Sequence, residues 1–399
     1  VGLKNYAGPS CPGLGWNCTT ANLVVQIASA GGENYAECAE DARQCVIVQG
    51  SQNVGPLPLS GENDINMHAH CGPPGSKRMM RKESDTLTCV IPQSNLTTGN
   101  NYAVVGMSIH DNDGSPQFGH TDAVVTQSTL GDGDNHAIVH EEIVLQTSDE
   151  STGTQKQDGF QSLQLTQTTE TGDNFADVKQ TQNITARAQS PATMQKQNTD
   201  EVSDPCVGPS THANSCVRFD QSAGTGRSQI TIHQNHNVEA VGAGGQQNQG
   251  CVSKECTLEV EGTQIPLGST NTVDDNQSLT YTLRGPEGTK QVQDPVARNQ
   301  GLQTGSPNDI WKVTQLAVIK SNDGDDEDDV QAQINEVHDT SDFGTVDARS
   351  VIILNDQRSE IVCNASSCNY DQVCGEVAGF EGDPEFFCPE FADRSPGVD

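Results

Sequence analysis

Aromatic side chains are scarce in this chain: only 4% of its 399 residues are Phe, Trp or Tyr, and only 33% are hydrophobic of any kind. So little apolar mass excludes a conventional single core and leaves either disorder or a thin core built in many layers. Basic residues are scarce too. Against 54 Asp plus Glu stand 21 Lys plus Arg, a formal charge of −33 that should repel nucleic acid and anionic membranes. No apolar run approaches the roughly 18 residues of a membrane-spanning helix. No GxSxG, HExxH, P-loop or dinucleotide-binding glycine pattern occurs, and the ten histidines are scattered. The reading is a non-enzyme with no resident cofactor.

What is present is repetition. The stretch TQTTETGDNFADVKQ (Thr166 to Gln180) has counterparts upstream in TQSTLGDGDNHAIVHE, PQSNLTTGNNYAVVGM and VQIASAGGENYAEC. In each, a glutamine precedes an asparagine by seven or eight residues: Gln26 and Asn34, Gln93 and Asn101, Gln127 and Asn135, Gln167 and Asn174. After the asparagine come a ring, an alanine, one further residue and Val or Cys. Asn101 to Asn135 is 34 residues and Asn135 to Asn174 is 39, periods that belong to stacked repeat architectures. Reading back by twos from glutamine gives Ile91 and Cys89, Val125 and Ala123, Leu165 and Leu163. Period two means strands. Because the Gln and Asn share the parity of the apolar residues, they are expected to face inward, where stacked amides satisfy one another up a ladder. The expected fold class is all-β: a β-solenoid of stacked β-arch repeats with disulfide-stapled loops.

Cysteine is the exception to scarcity, with 14 residues in short-range couples: Cys11 and Cys18, Cys38 and Cys45, Cys71 and Cys89, Cys206 and Cys216, Cys251 and Cys256, Cys363 and Cys368, Cys374 and Cys388. Sequential disulfides in an oxidising compartment are the first reading, and zinc held by Cys363, Cys368, Cys374 and Cys388 is the alternative, against which stands the absence of CxxC. The chain opens at Val1 without an apolar leader, which adds to an expectation of secretion, extracellular or at the cell surface.

Four segments are expected: 1–92 with disulfide-rich repeats, 93–205 with the most regular repeats, 206–350 with degenerate ones, and 351–399 as a Cys/Phe-rich cap or docking segment. From 257 to 350 the register blurs, although WKVTQ (Trp311 to Gln315) restarts a glutamine strand. The HAHC stretch (His68 to Cys71) suggests metal ligands but reads better as a surface loop ending in a disulfide. The acidic run NDGDDEDD lacks EF-hand spacing and reads first as a solvated loop, with Asp323, Asp325, Asp326, Asp328 and Asp329 as candidate Ca2+ ligands. Five Asn-x-Ser/Thr sequons fall at Asn17, Asn95, Asn183, Asn276 and Asn364.

The run from Gln167 through Asn174 to Gln180 resembles the repeat of curli-type subunits, secreted bacterial proteins that polymerise into extracellular amyloid-like fibres. The resemblance covers the Gln/Asn copies and implies a structural subunit whose partner is another copy of itself. Two readings follow. In the first, subunits assemble head-to-tail into an extracellular filament, sheath or matrix. In the second, a monomeric solenoid binds a surface, ice or a polysaccharide, which calls for a regular outward row of side chains; the outward positions Tyr102, His136 and Phe175 vary, which favours the first.

Overall fold

In the computed structural model every described element is a β-strand. The described residues are 3–7, 16–19, 23–28, 32–38, 44–51, 65–71, 80–82, 85–96, 98–112, 116–147, 153–199, 214–250, 258–266, 271–294, 297–303, 310–325, 331–337, 345–353, 357–363 and 367–375, with side chains described only within 25–284.

The chain begins with β1 (Leu3–Ala7), β2 (Trp16–Thr19), β3 (Leu23–Ala28), β4 (Gly32–Glu37), β5 (Gln44–Ser51), β6 (Ile65–Cys71) and β7 (Met80–Lys82). It continues through β8 (Asp85–Asn95), β9 (Asn101–Asp111), β10 (Gln117–Thr129), β11 (Asn135–Gln146), β12 (Thr154–Thr169) and β13 (Asn174–Gln197). Then come β14 (Ser215–Ala223), β15 (Ser228–Gly250), β16 (Leu258–Pro266), β17 (Asn271–Asp294), β18 (Ala297–Gln303) and β19 (Ile310–Asp325). The last are β20 (Gln331–Val337), β21 (Thr345–Ile353), β22 (Gln357–Cys363) and β23 (Ser367–Gly375).

Along the repeats each strand hydrogen-bonds in parallel to a strand one coil away. One sheet runs β3, β5, β8, β10, β12, β14, β16, β18. The other runs β1, β4, β6, β9, β11, β13, β15, β17, β19, β21, β23. From β8 to β19 the chain alternates between the sheets, so each turn there is an arch from one sheet to the other; β7 pairs with β9, and β20 with β22 in a separate two-stranded sheet. This is a β-solenoid, and it places a thin core between two inner faces.

Period two explains which residues fill that core. Along β10 buried and outward positions alternate, with Ala123, Val125 and Gln127 inside. From β9 and β11 come Val105, Ile109, Val139, Ile143 and Leu145. Few large side chains are needed, because each layer is one strand deep and is roofed by the next.

At one edge the arches are short: residues 130–134, 170–173 and 224–227. There a column of glycines brings backbone onto backbone. A Cβ on Gly133 would lie 2.1 Å from the carbonyl oxygen of Gly99, one on Gly172 1.9 Å from that of Gly133, and one on Gly226 1.8 Å from that of Gly172. At the opposite edge connections are long, as at 198–214, and a short extra ladder forms in which Thr154–Gln157, Met194–Gln197, Gln246–Gln249 and Lys290–Gln293 stack in register.

Several details differ from the expectation. The boundaries at 92 and 350 fall inside β8 and β21, so those segments share a strand. HAHC is not a surface loop: it is the end of β6, with Met67, Ala69 and Cys71 buried by strand alternation. The register does not blur after 257. Gln264 stacks on Gln221, and Asn271 on Ser228, with the same seven-residue spacing. Gln315 restarts no copy of that column; it lies in the other sheet, beside Gln277.

Candidate functional site: amide columns inside, a ring column outside

The inward glutamines form one continuous column. Each Nε2 donates to the Oε1 one coil earlier: Gln49 to Gln26 at 2.8 Å, Gln93 to Gln49 at 2.7 Å, Gln127 to Gln93 at 2.8 Å, Gln167 to Gln127 at 2.8 Å, Gln221 to Gln167 at 2.6 Å and Gln264 to Gln221 at 2.7 Å. The same Nε2 also donates across the arch to a backbone carbonyl of the facing sheet, as from Gln93 to Tyr102 O and from Gln127 to His136 O, both at 2.9 Å. One side chain thereby ties two coils and two sheets. Gln303 continues the column by backbone register.

The asparagine column runs with the opposite polarity. Asn101 Nδ2 donates to Asn135 Oδ1 and Asn135 Nδ2 to Asn174 Oδ1, each at 2.9 Å, before Ser228 takes the next place. Asn34 stands in the same file but not next to Asn101, because Met67 occupies the rung between them. The file also reaches further toward the start than the four copies suggest: Asn5-Tyr6-Ala7 lies in register with Asn34-Tyr35-Ala36, a repeat legible in the sequence once sought.

Three further amide columns lie outside the Gln/Asn copies read from the sequence. Gln277 donates to Gln234, Gln234 to Gln180, and Gln180 to the carboxyl of Glu141 at 2.7 Å. At the long-loop edge Gln249, Gln197, Gln157 and Gln117 form another chain of donors, with Gln247, Gln195 and Gln155 beside it. Their signal was the recurring Gln-x-Gln of Gln155/Gln157, Gln195/Gln197, Gln247/Gln249 and Gln291/Gln293.

Cys38 is bonded to Cys45 and Cys71 to Cys89, each pair joining the two sheets at the long-loop edge, and Cys216 is disulfide-bonded as well. The sulfurs of Cys45, Cys71 and Cys89 lie within 4.8 Å of one another because the two disulfides stack on successive coils, with Cys45 and Cys89 in register. Cys18 lies in β2, Cys363 in β22, and Cys368 and Cys374 in β23; Cys11, Cys206, Cys251, Cys256 and Cys388 lie outside the described residues. Of the acidic candidates, Asp323 and Asp325 fall in β19, and Asp326, Asp328 and Asp329 lie outside the described residues. The sequon residue Asn95 is fully buried, accepting from Ser51 Oγ at 3.0 Å, so in the fold it is closed to glycosylation.

The outward face of the second sheet corrects the sequence reading. Tyr102, His136 and Phe175 do not vary in role: they stack into one column with His68 and Tyr35. His68 to Tyr102 is 4.8 Å between ring centroids, and Tyr102 to His136 and His136 to Phe175 are 5.0 Å each. Arg227 closes it over the Phe175 ring at 5.8 Å while bonding to Asp173 at 2.8 Å. Burial holds His68 and His136 below the usual imidazole range, against the pull of Glu33 and of Asp134 and Asp173 respectively, which favours the neutral ring in both.

No family model, curated protein or solved structure matches this chain.

One arrangement resembles catalytic hardware. Ser215 Oγ lies 2.6 Å from His236 Nε2, whose Nδ1 is 3.5 Å from Tyr281 OH. All three side chains are fully buried, and burial pushes His236 down to about 3. A neutral imidazole held between Ser215 and Tyr281 joins the two sheets inside the core.

Proposed function

We propose that the chain is a structural subunit of a secreted extracellular filament, sheath or matrix that assembles head-to-tail with copies of itself. The observation that carries this reading is the unbroken glutamine column from Gln264 to Gln26, in which each coil presents the same rung to the next. A cross-section that repeats by translation within one chain is suited to repeating between chains, and a heterologous contact of that kind propagates unless its rotation closes. The resemblance of the Gln/Asn copies to curli-type subunits points the same way. Disulfides stacked in the core suit an oxidising compartment. With a charge of −33, assembly should strengthen as salt screens repulsion. The test is sedimentation and electron microscopy of the intact, oxidised chain across a salt series. Polymers that grow with salt are expected; monomers persisting at high protein and high salt would overturn the reading.

The ring column supports a second reading, a binding module, because it is a regular outward row. In that case Tyr102→Ala with His136→Ala abolishes retention on an insoluble polysaccharide while leaving sedimentation unchanged.

A further inference from the structure

The amide columns differ in what stands at their ends. The column of Gln277, Gln234 and Gln180 donates coil by coil toward the start of the chain, and its last acceptor is a carboxyl, Glu141 Oε2. One coil earlier the same position is Met107, so the column stops there. Glu141 is 1% exposed. Its second oxygen, Oε1, makes no hydrogen bond of good geometry, and its neighbour is the buried Thr121 Oγ1 of the facing sheet, which makes none either. Around the carboxyl stand Met107 from β9, Gln180 from β13, and Thr121 with the carboxylate of Asp122 from β10. None of these is a cation.

We propose that Glu141 is a pH-sensitive latch for the middle coils: in its neutral form it ends the amide column, and in its ionised form it is an uncompensated buried charge that releases β10 and β11 from the stack. A neutral carboxyl accepts from Gln180 and turns its own proton toward Oγ1 of Thr121. An anion keeps the first contact and can take the second only as a neutral hydroxyl donor, so its charge stays buried in surroundings that supply no countercharge. Burial, with a smaller contribution from Asp122, pushes Glu141 up to about 8 against the favourable donation from Gln180 and Thr121. Because the folded value lies above the unfolded one of about 4.3, the folded chain holds a proton that the unfolded chain has released. Stability from this group is therefore complete in acid and is lost as pH rises through about 8.

Two substitutions that the column itself provides make the test. Glu141→Gln places there the residue found one coil later, and Glu141→Met the residue found one coil earlier. Hydrogen exchange read by mass spectrometry on the intact, oxidised chain, corrected for the intrinsic pH dependence, follows the amides of residues 117–147. In the wild type their protection is expected to fall about tenfold or more between pH 6 and 9, with residues 215–232 changing less. In both variants the loss over 117–147 should disappear. Equal pH profiles in wild type and Glu141→Met would overturn the latch. So would a loss in wild type spread evenly over all coils.

Discussion

At the edge where β10 arches into β11, turns of four or five residues stack glycine on glycine and carry the Gln and Asn columns; at the opposite edge loops of very different length are tolerated, and the described residues there form the short Gln-x-Gln ladder and two disulfides. The intervals between successive rungs of the main glutamine column show the result: 23, 44, 34, 40, 54 and 43 residues. Register is set at the tight edge, where a backbone–backbone contact leaves no slack and each amide satisfies two coils and two sheets. Length is absorbed at the loose edge, where loop entropy rises only slowly with added residues.

The sharpest way to break that contrast is to remove one rung from each edge. Gln127→Leu removes the donor to Gln93 Oε1, the acceptor for one N–H of Gln167 and the donor to a carbonyl of the facing sheet, and should cost about 3–5 kcal/mol in denaturant unfolding, against about 1–2 kcal/mol for Gln155→Leu at the end of the loose-edge column. Next comes Gly172→Ala, whose methyl would meet the Gly133 carbonyl oxygen at 1.9 Å; backbone has nowhere to retreat, and a loss of about 2–4 kcal/mol is expected from the same measurement. A gain sharpens the comparison from inside the sheets. Asp275 is buried with neither carboxyl oxygen hydrogen-bonded, in a file whose earlier members are Val139, Val178 and Ile232. Asp275→Val should stabilise by about 1–3 kcal/mol and lessen alkaline sensitivity, since burial holds this acid well above the usual range. The smallest effect belongs to the loose edge: four Gly/Ser residues inserted within 148–152 should cost less than about 1 kcal/mol. A large loss there, or a small one at Gly172, would contradict the division of labour.

How much of this was legible depends on which edge a residue serves. Gln93, Gln127 and Gln167 with their asparagines were readable because the tight turn holds Gln and Asn at a nearly fixed spacing, so sequence period and spatial register coincide. At the loose edge they part company: Gln155, Gln195 and Gln247 stack in register although their spacing is irregular, and only the Gln-x-Gln signature marks them. Met67 in the asparagine file and Asp275 in the valine file were hidden for a different reason. The backbone pairing supplies enough registration that a single side chain of another kind is carried by its neighbours. The ring column was missed because Tyr, His and Phe differ as residue types yet share flatness, and flatness is what stacking at the strand spacing selects.

Residue number is a poor ruler for this molecule. Gln26 and Gln49, 23 residues apart, are separated by one strand spacing along the axis, and so are Gln167 and Gln221, 54 residues apart. Each coil advances the stack by about 4.8 Å whatever its contour length. The chain therefore counts distance in turns. Probes attached at Gln49 and Gln264 should report five steps, a separation of about 24 Å, set by how many times the chain has gone round and indifferent to how far it has travelled.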